Sequence, residues 1–126
     1  MIKMLIKSIN FILPLVIYPL DIMVSIAQTD CELRKELIKC GSVWNDIMKC
    51  LGDGLYVMTP SNQSLIRIKK YPITPREYGI LQHEIFHAVT NIMHRIGMKF
   101  IILKSDEAYA YLVQYITEAI YTKMWE

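Results

Sequence analysis

The residues best placed to do chemistry are His83, Glu84 and His87, in the run Gln82-His83-Glu84-Ile85-Phe86-His87-Ala88. On an α-helix, positions four apart lie about 40° apart around the axis and one turn along it, so both imidazoles can face one metal ion. Glu84, about 100° round from His83, can reach a metal-bound water without being a ligand. The H-E-x-x-H spacing therefore suits Zn2+, which lowers the pKa of its water towards ~7 while the glutamate takes the proton. The competing explanation is two surface histidines and an ion-pairing glutamate on an ordinary helix.

A catalytic zinc needs a third protein ligand and an open fourth position. Glu107, twenty residues beyond His87, falls in the first turn of a second helix, and the chain between them is long enough to reverse direction. Tyr111 follows Glu107 by one turn, where its hydroxyl would orient a ligand or bind an oxyanion. His94 is the rival ligand, but it lies about 16 Å along an unbroken helix from His83, and a solvated histidine near a helix C-terminus accounts for it. Tyr109, Tyr115 and Tyr121 read as core and hydrogen-bonded rim.

The elements that must hold these residues are legible in part. Thr74, Pro75 and Glu77 combine an N-cap, a proline in the first turn and a capping-box glutamate, predicting a helix from Pro75 to about Arg95 that stops near Gly97. Ser105 opens a final helix, separated from the first by the apolar run Phe100 to Leu103. Thr29 and Glu32 form another capping box, predicting a short helix over about 30–40 that ends at Gly41. A helical turn or two is compatible with 43–50. Leu55–Thr59 and Leu65–Tyr71 read as a hairpin, the second strand alternating Ile66 and Ile68 against Arg67 and Lys69 as a half-exposed strand does. Arg67, Lys69 and Lys70 are read as its solvated face.

The N-terminal 28 residues admit two readings. Lys3 and Lys7 followed by a long apolar run imitate an export signal. Pro14, Pro19 and Asp21 interrupt that run, no stretch spans a bilayer, and Leu20 to Ala27 reads better as a strand buried on both faces.

The 126 residues supply one domain's worth of chain, and 53% hydrophobic against 21% charged residues excludes disorder as the main state. A net charge of +2 argues against a nucleic-acid binder held by bulk charge. Cys31, Cys40 and Cys50 offer neither a disulfide framework nor a thiolate zinc site, and read as small apolar residues on helix faces in a reducing cytoplasm.

H-E-I-F-H followed by Asp106-Glu107-Ala108-Tyr109 resembles the gluzincin branch of zinc metallopeptidases, including the minigluzincins, and is similar to short H-E-x-x-H proteins encoded by phages of gut bacteria. The match covers roughly 65–121. The resemblance implies a single α+β zincin-like domain over 1–126, with a few-stranded mixed or antiparallel sheet packed on the two helices. It implies zinc ligands His83, His87 and Glu107, Glu84 as general base, and a peptide or protein substrate; charge and hydropathy add the expectations of no nucleic acid and no membrane span. By analogy with zincins, the strand Leu65–Tyr71 would be the sheet edge that pairs with an extended substrate. Two departures stand: Tyr111 occupies the position where thermolysin-like enzymes carry an acid, and the chain lacks the extra domain that walls their cleft. The alternatives are a non-enzymatic phage or bacterial interaction protein with a structural or vestigial metal site, and an exported rather than cytoplasmic protein if residues 1–27 act as a signal.

Overall fold

The computed structural model describes residues 7–15, 20–49, 52–59 and 63–126. The chain is α+β, with a four-stranded mixed sheet and three α-helices. The strands are β1 (Ile9–Leu15), β2 (Leu20–Ile26), β3 (Gly54–Met58) and β4 (Ser64–Ile68); the helices are α1 (Asp30–Lys39), α2 (Pro75–Arg95) and α3 (Asp106–Trp125). The sheet order is β1-β2-β4-β3. β1 pairs antiparallel with β2, β2 parallel with β4, and β3 antiparallel with β4.

The run that imitates an export signal thus supplies two paired strands. β1 carries Pro14, a residue that cannot donate to a ladder and is tolerated here because β1 is an edge strand with one neighbour. β2 is interior and largely buried, as its aliphatic composition predicts.

Both capping boxes form. The Thr29 hydroxyl accepts from the Glu32 amide, and Thr74 from that of Glu77, while each glutamate reaches back to its N-cap amide. Gly41 and Gly97 follow α1 and α2 at positive φ, +77° and +78°, where a Cβ would be strained. The 43–50 stretch yields only a 3-10 helix over Asp46–Lys49, with position 50 outside the described residues. The loop proposed between the hairpin strands lies largely outside them too. Ser105 precedes α3 but does not cap it: its hydroxyl accepts from the Ile101 amide and donates to the Lys99 carbonyl, bracing the preceding loop.

Helices cover both faces of the sheet. On one, Ile22, Val24, Ile66 and Ile68 pack with Ile85 and Ile92 of α2 and Ile116 and Ile120 of α3. On the other, Met23 and Leu65 pack with Leu33 and Leu37 of α1 and with Met48. This corrects the expectation of a half-exposed β4, since the alternating residues of that strand face two covered surfaces and all five are buried. Arg67 is 2% exposed; only Lys69 and Lys70, beyond the strand, are at the surface. The Arg67 guanidinium donates to the carbonyls of Met48 and Gln28 and lies 2.7 Å from Asp30, tying β4 to the segments that cover it. Cys31 and Cys40 are exposed, against the expectation of apolar packing; Cys50 lies outside the described residues. Among the described residues no helix is long and apolar enough to cross a membrane.

Candidate metal centre

The face of α2 that carries Leu81, Ile85, Ala88 and Ile92 is locked into the core. Residues at helical offsets from that face are consequently held in fixed directions, and His83 and His87 stand exposed together on its flank. Their Nε2 atoms are 3.1 Å apart and the rings meet edge to face, with centroids 4.7 Å apart. Two histidines bound at ~2.0–2.1 Å to one tetrahedral zinc would hold their nitrogens about 3.3 Å apart. The pair is therefore spaced so that both imidazoles could hold a single zinc ion with little rearrangement.

Glu84, beside them on the helix, lies under β3. It is 7% exposed, and a Cβ placed on Gly54 would come within 3.1 Å of its Cγ and Oε2 and 2.9 Å of Ile80 Cγ2. Gly54 is thus the residue whose missing side chain lets the strand pass over this carboxylate. Farther along β3, the Tyr56 hydroxyl donates to Asn91 Oδ1 at 2.8 Å and lies 2.9 Å from Ser64 Oγ. The strand is held on α2 at two points that bracket His87. Burial pushes the Glu84 carboxyl above the ordinary carboxylate range, and the charges of His83 and His87 pull it partly back. A carboxylate raised in this way is a better proton acceptor than a solvated one.

Beside this cluster opens a shallow groove of about 370 Å³ lined by Asp53, Gly54, Arg76, Ile80, His83 and Glu84. Asp53, Gly54 and Arg76 escaped the sequence reading. Their only local signal was the Gly52-Asp53-Gly54 cluster, which reads as a helix breaker, and nothing in it announces an approach to α2.

The expected third ligand is placed differently. α3 crosses α2 with Gln82 bonded to Thr117 and Tyr121. Asp106 shares a separate cavity with Thr90 and His94, which sets the first turn of α3 against the C-terminal part of α2. Glu107 is exposed there, and among the described residues no three His, Cys, Asp or Glu side chains gather closely enough to hold a metal. The structure brings together His83, Glu84 and His87 and leaves Glu107 apart. Tyr111 is likewise exposed, and His94 lines the cavity with Asp106. The other tyrosines form the expected rim: Tyr109 donates to Met98 O, Tyr115 to Pro14 O, and Tyr121 stacks edge-on against Tyr78.

The expectation that Leu65–Tyr71 forms the sheet edge is overturned. β4 is paired on both sides, and the edge strand packed on α2 is β3. The reason is long-range: the parallel pairing of β2 with β4 moves the second hairpin strand inward. No protein-family model, curated protein or solved structure matches this chain.

Proposed function

We propose that the chain is a small zinc metallopeptidase of zincin-like fold. The observation that carries the reading is the Nε2 pair of His83 and His87 at 3.1 Å beside a buried Glu84. A bound zinc would supply a Lewis acid for the scissile carbonyl and an acidified water. His83 and His87 would hold it; the motif implies Glu107 as third ligand, and that role would require the first turn of α3 to close on the histidine pair, which it does not join here. Glu84 accepts the proton of the attacking water and passes it to the leaving amine. β3 takes the role first assigned to β4: an extended peptide would add to its free edge, above Glu84, with Arg76 at the mouth of the groove.

A second reading is a non-enzymatic interaction protein with a structural or vestigial metal site, in which the imidazoles of His83 and His87 simply pair with each other at 3.1 Å. The Glu84→Gln variant separates the two. For the peptidase, zinc binds one to one in both forms and cleavage of a mixed peptide library falls at least ~100-fold in the variant. Equal turnover in both forms, or none in either with zinc loaded, rejects the peptidase.

A further inference from the structure

The connection from α2 to α3 presents four consecutive large apolar residues to solvent. Ile102 is 71% exposed and Leu103 90%, with Phe100 and Ile101 about half exposed. This is a built loop. Ser105 Oγ links the Ile101 amide to the Lys99 carbonyl, Lys104 and Ser105 amides return to Ile101 O, and Phe100 packs edge-on against Tyr109 at 5.1 Å. Leu103 is held at φ +66°, a left-handed conformation that costs a non-glycine residue roughly 1 kcal/mol or more. The bracing hydrogen bonds hold an aliphatic side chain at the tip of the loop in spite of that cost.

Next to this knob lies a hole. The cavity between α2 and α3, about 930 Å³ and mostly apolar, is walled by Phe86, Val89, Met98, Phe100, Ala110 and Val113. It is far larger than one side chain needs and continues into the exposed rings of Phe86 and Phe100. With Ile101, Ile102, Leu103 and Tyr111, the apolar surface exposed here is on the order of 600–900 Å². That exceeds the patch an ordinary monomer tolerates and approaches the ~800 Å² per partner of a stable interface.

We infer that this face is a homodimer interface in which residues 101–103 of each copy insert into the α2–α3 cavity of the other. Knob and hole lie side by side on one surface, the condition for a self-complementary two-fold contact. Lys99 and Asp106 both border the hole, so each copy offers one basic and one acidic group at its rim. Phe86, a wall of the hole, lies 6.5 Å from the His87 ring. The partner's loop would therefore raise a wall beside the histidines, though the interface itself does not depend on zinc.

Sedimentation velocity of the full chain between 1 and 100 µM tests this. A concentration-dependent dimer is expected, and Leu103→Asp, at a position too exposed to disturb the core, should raise its dissociation constant at least tenfold. A mixture of Ile102→Cys and Ala110→Cys proteins, in a background with the native cysteines replaced by serine, should form a disulfide heterodimer that neither forms alone. A monomer throughout the range overturns the inference, including one that co-sediments with anionic vesicles through the same loop. So does a dimer that Leu103→Asp leaves intact.

Discussion

Gly54→Ala should be a destabilising mutation even though alanine suits a strand better than glycine does. Replacing a strand glycine ordinarily gains about 0.5–1 kcal/mol of backbone entropy. Here the new methyl would sit 2.9 Å from Ile80 Cγ2 and 3.1 Å from Glu84 Cγ and Oε2. Ile80 Cγ2 is on a stiff β-branched carbon and Glu84 Cγ is mid-chain, so neither can simply swing away. Overpacking of this kind costs typically 1–3 kcal/mol. The net expectation is a loss of about 0.5–2 kcal/mol in urea denaturation, with Glu84 displaced from beneath β3. Ile80→Ala removes the closest atom, so the double variant should recover much of the loss, a coupling of about 1 kcal/mol. Gly79→Ala is the control: nothing lies within 4 Å of a Cβ there, and in a helix interior alanine should stabilise by up to about 1 kcal/mol. A neutral or stabilising Gly54→Ala, or a cycle with no coupling, would refute the argument that β3 rests directly on the Glu84 side chain.

Arg67→Met should cost about 2–4 kcal/mol, because it strips the buried Met48 carbonyl and the half-buried Gln28 carbonyl of their donor. Asp30→Asn should cost less, about 1 kcal/mol, since Asp30 is 52% exposed and both carbonyl acceptors of Arg67 remain; denaturation midpoints showing the reverse order would contradict this assignment. Glu77 is held below the ordinary value of 4.5 by the Thr74 and Ile73 amides, so its stabilisation is present above the unfolded pKa and is lost as pH falls through the lower folded one. The difference in melting temperature between the native chain and Glu77→Gln should accordingly shrink on acidification from pH 6 to 3, and a difference constant over that range would rule the linkage out.

What sequence alone revealed follows the range of the interactions concerned. The boxes Thr29/Glu32 and Thr74/Glu77 are complete within four residues, so α1 and α2 could be placed closely, and the closeness of the His83 and His87 rings follows from one helical turn. β1 was hidden because an edge strand with a proline resembles an export signal in composition. Arg67 misled because alternation reports only that two faces differ; that α1 and Met48 cover the second face is a tertiary fact. The close approach at Gly54 and the inward place of β4 also depend on partners more than 25 residues away. Glu107 shows the converse: the motif spacing is intact, yet the crossing of α3 over α2 puts its first turn beyond the histidines.

The parallel seam between β2 and β4 also bears on how the chain folds. Each half of the sheet is a pair of sequence neighbours, β1 with β2 and β3 with β4, which close small loops and can form early. Ile22–Ile26 must then find Ser64–Ile68 across α1 and the whole of β3, the costliest closure in the sheet. Arg67 lies on that seam, and its three partners, Gln28, Asp30 and Met48, all come from the intervening segment. Its two terminal nitrogens reach these partners only after the halves have met, so the buried charge penalises a misregistered seam that apolar residues alone would tolerate.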